Sequence, residues 1–444
     1  MAHTRFIRKS VITTFIILTL SFLLASCGEE HRHEWGEWEP YIESTCYVAG
    51  QERSVCSCGA AQYRRIELAH EFELQSADLA EKKETEVCVK CGTKEERDLT
   101  YGTVKIPIVT AETESTITLL CDGGEFSASF VKASEDSYKL TLKDGAAQVA
   151  KDAGAFSEYY LTPGYLKDRT SYGAIAEDLY GQVASTGNYQ DPLSSAPNFG
   201  AGEGIPVAFY NGDKFSGIYT LSPAKDAFFS DSAAAMISNA ATAQTELRAA
   251  VGASADEAGF KVIWKSDSLG DDALYQSFND LISFIGENDW DDFRDGVSAH
   301  VAVDRAIDEM LFTCAIGATD SVSANILWLT YDGTTWIPVP CKLDGAFADA
   351  AIEPDHGCNL LWEKLNLYFG DEIGARWRDL RFGALSLDSI EQTVRAHFKL
   401  PSELTSLDGK TASDASAGEE ATVASVMAAV NANLSRLDAY YGLQ

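Results

Sequence analysis

Positive charge is scarce in this chain. Its 444 residues include 35 Lys and Arg against 67 Asp and Glu. The first 26 residues hold three of the basic residues (Arg5, Arg8 and Lys9) and no acid, so the remainder carries 32 basic against 67 acidic residues, a net charge of −35. A field of that sign repels phosphate backbones and anionic lipid surfaces, which argues against nucleic acid as a partner. It also means that a bound nucleotide needs Mg²⁺ or Mn²⁺ and a local basic group to offset the field. Long apolar runs are few as well. Val11 to Ser26 is free of charge but short for a membrane span, and no other stretch is apolar enough to cross a bilayer. Hydrolase signatures are missing: His300, His356 and His397 stand in no Gly-x-Ser-x-Gly or His-Glu-x-x-His setting. Cys121, Cys314, Cys341 and Cys358 are scattered without ligand spacing and read as buried thiols or one pair. What is present is 45% hydrophobic content, enough for a substantial core in two or three domains.

The apolar run closes with Leu24-Ala25-Ser26-Cys27, which resembles a bacterial lipobox. The resemblance implies a signal peptide over 1–26, cleavage before Cys27 and lipidation of its thiol. The expected result is a protein anchored to a membrane in the cell envelope, outside the cytoplasm, with an uncleaved signal anchor as the alternative.

Residues 28–100 contain a weak internal repeat. His33-Glu34-Trp35 leads to Cys56-Ser57-Cys58-Gly59, and His70-Glu71-Phe72 leads to Cys88-Val89-Lys90-Cys91-Gly92. The pattern is similar to short His/Trp-to-Cys-Gly repeats of some bacterial surface proteins. Cys88-x2-Cys91 before a glycine is a knuckle that suits tetrahedral zinc, because the turn aims both thiolates at one point. Cys46, Cys56, Cys58, His33 and His70 are candidates to complete one or two sites. Cys56-x-Cys58 is tighter than the usual knuckle, and the second repeat has no counterpart of Cys46. Outside the cytoplasm the same thiols could instead be disulfides, although five cysteines cannot all pair internally. Either cross-link would let about 70 residues with few apolar runs hold a fold.

From Thr100 the patterning becomes that of an α+β body. Alternating runs predict strands over 104–109, 115–120, 126–131 and 138–142, and a hairpin over 205–221 around Asn211-Gly212. A helix is expected over 171–183. Beyond Ser230 the periodicity predicts helices at about 232–250, 271–286, 289–299, 302–315, 359–369, 386–398 and 418–440, with one strand over 260–264. Strands first and helices later suggest two lobes.

The chemistry-bearing stretch is 320–347. Asp320 and Asn325 stand in the D-x4-N spacing with which protein kinases place a catalytic base and a metal ligand. The runs 326–331 and 335–339 flank Asp332-Gly333, a strong hairpin signal. A hairpin joins its two ends, so Leu343-Asp344-Gly345 should return beside Asp320 and Asn325.

These residues resemble the spore-coat-protein-H (CotH) family of atypical protein kinases, in motif order across roughly 103–440. IPVAFYNGDKFSGIYTL at 205–221 looks like that family's N-G-x-y-x-G-x-Y-x-L hairpin. Leu166-Lys-Asp-Arg-Thr170 matches its helix start loosely. Asp320-x4-Asn325, the hairpin and Leu343-Asp344-Gly345-Ala346-Phe347 follow, and then Cys358-Asn-Leu-Leu-Trp-Glu-Lys364. The resemblance implies an α+β, atypical bilobal protein-kinase-like fold over 101–444, with a strand-rich N-lobe and a helical C-lobe, after the Cys-rich module of 27–100. It implies ATP with Mg or Mn, and transfer of phosphate to Ser or Thr of exported proteins. Asp320 would act on the attacking hydroxyl, Asn325 and Asp344 would hold the metal, and Lys139, or its neighbour Lys143, would grip the phosphates. The chain departs from the family in three places. Lys342 replaces the first acid of an acid pair, Leu221-Ser222-Pro223 lacks the glutamate that partners the nucleotide-binding lysine, and no Gly-Arg-Gly-like run precedes Lys139. Two readings therefore stand: a protein kinase, or a pseudokinase that binds a ligand or protein on the same scaffold.

Overall fold

A computed structural model describes residues 32–443 except 134–136, 150–153, 166–169, 203, 225–234, 240–256, 258, 268, 288–289, 323, 356–358 and 409–418. The signal peptide, Cys27, most of 166–170, His356 and Cys358 lie outside the described residues. By contacts the chain divides into two units, residues 1–73 with 86–95 and residues 74–85 with 96–444.

Strands β1 (Glu39–Ile42), β2 (Gly50–Val55) and β3 (Ala61–Ile66) form an antiparallel sheet. β4 (Phe72–Asp78), β5 (Lys83–Cys88) and β6 (Lys94–Asp98) form a second three-stranded sheet. Each sheet carries one Cys-x(1,2)-Cys-Gly turn, closed by backbone bonds from Gly59 to Cys56 and from Gly92 to Cys88, both 2.8 Å.

The larger unit is α+β. After a short helix α1 (Tyr101–Val104), where the sequence predicts the start of a strand, come β7 (Ile108–Ala111), β8 (Thr116–Cys121), β9 (Gly124–Lys132) and β10 (Tyr138–Leu142). The small β11 (Ala147–Gln148) and β12 (Ala155–Phe156) pair with each other and precede β13 (Glu158–Pro163), β14 (Ile205–Asn211) and β15 (Lys214–Pro223). Seven of these strands close a barrel in the order β10-β13-β15-β14-β7-β8-β9. Closure comes from one parallel pairing, Ala208–Asn211 of β14 against Ile108–Ala111 of β7. Alternation along each strand fills the interior: Leu140 and Leu142 of β10, Leu161 of β13, Leu221 of β15 and Val207 of β14 are buried.

Helix α2 (Thr170–Ser185) follows β13, and the remaining elements build the helical part. A second sheet, β17-β16-β18-β19, joins β16 (Ala235–Asn239), β17 (Phe260–Lys265), β18 (Ile326–Thr330) and β19 (Ile337–Pro340). Within the helix expected over 232–250, residues 235–239 instead form β16, which pairs with β17 along its length and with β18 over 235–238, and that pairing overrides the helical preference of an alanine-rich stretch; the rest of that span lies outside the described residues. The helices are α3 (Asp271–Glu287), α4 (Trp290–Gly296), α5 (Val303–Ile316), α6 (Leu360–Tyr368), α7 (Gly370–Phe382), α8 (Leu387–Leu407) and α9 (Glu419–Tyr440).

Helix α5 is buried along nearly its whole length, and its polar residues are paired inside. Arg305 reaches Asp191 through Nε and Nη2, both at 3.0 Å, and its guanidinium lies 3.7 Å from the Tyr189 ring centre. Asp308 takes two bonds of 2.7 Å from Arg376 of α7 and one from the Tyr189 hydroxyl. Arg376 also donates to Val183 O at the end of α2. Charge-assisted bonds therefore lock α2, α5 and α7 together, and fixing α5 fixes the turn that follows it.

Candidate functional site

Helix α5 ends at Gly317, and the next turn, 319–321, carries Asp320. Asn325 then opens the hairpin. Its Nδ2 donates to Asp320 O at 3.2 Å, and its own carbonyl accepts from Cys341 N at 2.8 Å. β18 and β19 pair from Ile326↔Pro340 to Leu329↔Ile337 around the Asp332-Gly333 turn, and every residue of both strands is buried. The chain returns through the 343–345 turn, and Phe347 N donates to Ile316 O at 2.6 Å, which ties the return to the end of α5.

The hairpin thus brings Asp320, Asn325 and the Asp344 turn together. A Cβ built on Gly345 would lie closer than 3.0 Å to both carboxylate oxygens of Asp320. Only a glycine lets the two turns approach this closely. Likewise, a Cβ on Gly173 of α2 would lie 2.6 Å from Asp344 Oδ1. Asp320 and Asp344 are both exposed. The Asp344 carboxylate and the Asn325 side-chain oxygen are hard donors of the kind that divalent cations such as Mg²⁺ or Mn²⁺ prefer.

Backbone strain is concentrated here. Seven non-glycine residues have positive φ among the described residues, and three of them, Asn325, Lys342 and Phe347, with φ of 54°, 53° and 63°, flank this group. Asn tolerates that region, whereas Lys and Phe each pay on the order of 1 kcal/mol for it. Lys342 is exposed and makes no ion pair among the described residues.

Lys139 lies on β10 opposite Tyr160, and its Nζ forms an ion pair with Glu158 Oε2 at 2.9 Å. Ser222, where a glutamate is expected, pairs with Tyr160 on the far side of β13. The acidic partner of Lys139 therefore comes from β13. Lys143 is exposed just after β10 and donates its backbone N–H to Ser127 O.

The smaller unit holds two Cys/His groups that could each bind a metal ion. Cys46, His70, Cys88 and Cys91 have their ligand atoms within 4.8 Å of one another, and so do His33, Cys56 and Cys58. In the first group, Cys46 Sγ lies 3.7 Å from Cys88 Sγ, and Cys91 Sγ lies 3.3 Å from His70 Nδ1. Burial opposes a Cys88 thiolate, yet the His70 bond and the backbone amides of Lys90, Cys91 and Glu71 hold its pKa down at about 6. Burial and the neighbouring thiols push Cys46 up to about 11. In the second group, Cys58 Sγ and His33 Nδ1 are 3.3 Å apart. Beyond these groups, Cys121, Cys314 and Cys341 are buried.

Two residues of these arrangements escape sequence inspection, Gly173 and Glu158, as does the close approach that Gly345 of the expected Asp-Gly turn permits. Their only signals are a small residue where two chains approach and an acid two residues off the register of Lys139. No known family profile and no curated protein matches this chain.

Proposed function

We propose that this protein is an exported, lipid-anchored phosphotransferase of the CotH kinase type. It would move the γ-phosphate of ATP, with Mg or Mn, onto Ser or Thr of exported proteins. One observation carries the reading: the Leu343-Asp344-Gly345 turn packs against the Asp320 carboxylate, and Asn325 Nδ2 donates to Asp320 O. In this reading the barrel is the nucleotide-holding, strand-rich lobe, and the helices after β15 form the second lobe.

The roles follow from what phosphoryl transfer demands. Asp320, exposed on a turn held by the buried α5, orients the attacking hydroxyl and accepts its proton. Asn325 and Asp344 hold the metal, which when bound neutralises charge on the phosphate oxygens. Lys139 supplies the cation for the phosphates, and Glu158 positions it in place of the glutamate absent at Ser222. Lys342 marks the competing reading. A cation where the family carries an acid suits a pseudokinase that binds a ligand without turning it over.

Incubating the full chain with γ-labelled ATP and Mn²⁺ or Mg²⁺, alongside exported proteins of the same cell, separates the two. The kinase reading predicts metal-dependent label on Ser or Thr. ATP binding without any transfer would leave only the pseudokinase.

A further inference from the structure

We propose that Cys46, His70, Cys88 and Cys91 bind one structural Zn²⁺ that clamps the first Cys/His repeat to the second. The spacing of the donors distinguishes this from the other fates of the thiols. A disulfide needs its sulfurs about 2.05 Å apart. Tetrahedral zinc with Zn–S bonds of about 2.3 Å and a Zn–N bond of about 2.0 Å needs sulfurs roughly 3.8 Å apart and sulfur and nitrogen roughly 3.5 Å apart. The observed Cys46–Cys88 separation is 3.7 Å and the Cys91–His70 separation is 3.3 Å. Three sulfurs and one imidazole nitrogen, with no carboxylate, select zinc over magnesium or calcium. Four protein ligands leave no open position, and Cys46 and Cys88 are 9% and 1% exposed, as suits a structural rather than a catalytic ion.

The surroundings match a thiolate-rich site. Backbone amides of Lys90, Cys91 and Glu71 point at Cys88, and Thr93 Oγ1 lies 3.2 Å from Cys91 Sγ. Three thiolates and Zn²⁺ leave one net negative charge, which these donors offset.

The ligand set also accounts for an asymmetry in the sequence. Cys46 sits in the first repeat, but its thiol completes the site of the second. The second repeat has no counterpart of Cys46 because no third repeat follows whose site it would complete. By the same logic His33, Cys56 and Cys58 form a separate, more exposed three-ligand group among the described residues.

Zinc binding here is independent of phosphate transfer by the other unit. The test is metal content of the full chain, purified under reducing conditions and dialysed against a weak chelator, with Co²⁺ exchanged in for spectroscopy. The wild type should hold a zinc equivalent that Cys46→Ser removes and Cys58→Ser leaves in place. Its Co²⁺ form should show the thiolate charge-transfer and tetrahedral d–d bands of a three-sulfur, one-nitrogen site. The Co²⁺ spectrum of the wild type keeps the proposal testable if a variant fails to fold. Absence of metal, a mass lower by the two hydrogens of a Cys46–Cys88 disulfide in protein purified without reductant, or a zinc equivalent kept by Cys46→Ser and lost by Cys58→Ser would each overturn it.

Discussion

If the proposed kinase reading holds, Asp344→Ala and Asp320→Ala should both remove most phosphate transfer, but by different kinetic routes. Asp344 is assigned to the metal. Losing one charged oxygen ligand, worth about 1.5–3 kcal/mol, should raise the metal concentration for half-maximal rate by roughly ten- to a hundredfold. Excess Mn²⁺ should recover part of the rate. Asp320 is assigned to the hydroxyl, so Asp320→Ala should lower kcat by about 10²–10⁴-fold while the metal requirement stays where it was. Two companion variants sharpen the distinction. Asn325→Gly removes the side-chain oxygen at a residue whose φ of 54° glycine adopts freely, so it should resemble Asp344→Ala. Gly345→Ala drives a methyl group into the Asp320 carboxylate and should resemble Asp320→Ala, although no catalytic atom is removed. Initial rates as a function of Mn²⁺ concentration check all four. Identical metal dependence across the set would refute the division of roles.

The second large effect is on stability and concerns Glu309, buried on α5. Burial pushes its carboxyl up to about 8, against the opposing bonds from Trp362 Nε1 at 3.1 Å and Thr313 Oγ1 at 3.2 Å. An acid whose folded value lies above its unfolded value of about 4.5 holds its proton only in the folded state between the two. Its contribution to stability is therefore full below pH 4.5, declines through that window and is gone above pH 8. Each pH unit inside the window costs about 1.4 kcal/mol. Glu309→Gln mimics the protonated acid: its oxygen can accept from Trp362 and its NH₂ can donate to the Thr313 hydroxyl. The variant should match the wild type near pH 5 and exceed it by about 3 kcal/mol near pH 7. Denaturant melts of both proteins at the two pH values measure this. A wild type that keeps pace with the variant at pH 7 would mean Glu309 is ionised in place.

The local grammar of the chain was readable without coordinates where a single element carried its own signal. β10 coincides with the alternating run 138–142, and both hairpins form around the expected Asn211-Gly212 and Asp332-Gly333 turns. The meeting of Asp320, Asn325 and Asp344 follows from hairpin geometry alone. Barrel closure does not, because it depends on β7 pairing with β14 about a hundred residues later, and neither strand encodes its partner. β16 was hidden for a related reason: Ala-rich sequence favours a helix until two neighbouring strands claim it. Helix α7 carries only Ile373, Trp377 and Leu380 on its buried face amid charged residues, too thin a stripe to stand out. The Lys139–Glu158 pair needs the β10–β13 register, which is set by the whole barrel.

The central claim is that Asn325 and Asp344 hold the metal of a nucleotide site beside the hydroxyl-activating Asp320. Electron paramagnetic resonance of Mn²⁺ titrated into the full chain, with and without ATP, tests it most directly. The account predicts one Mn²⁺ that binds in an ATP-dependent manner to the wild type and is weakened at least tenfold in Asp344→Ala. Mn²⁺–ATP binding that is absent from the wild type, or unchanged in Asp344→Ala, would contradict it.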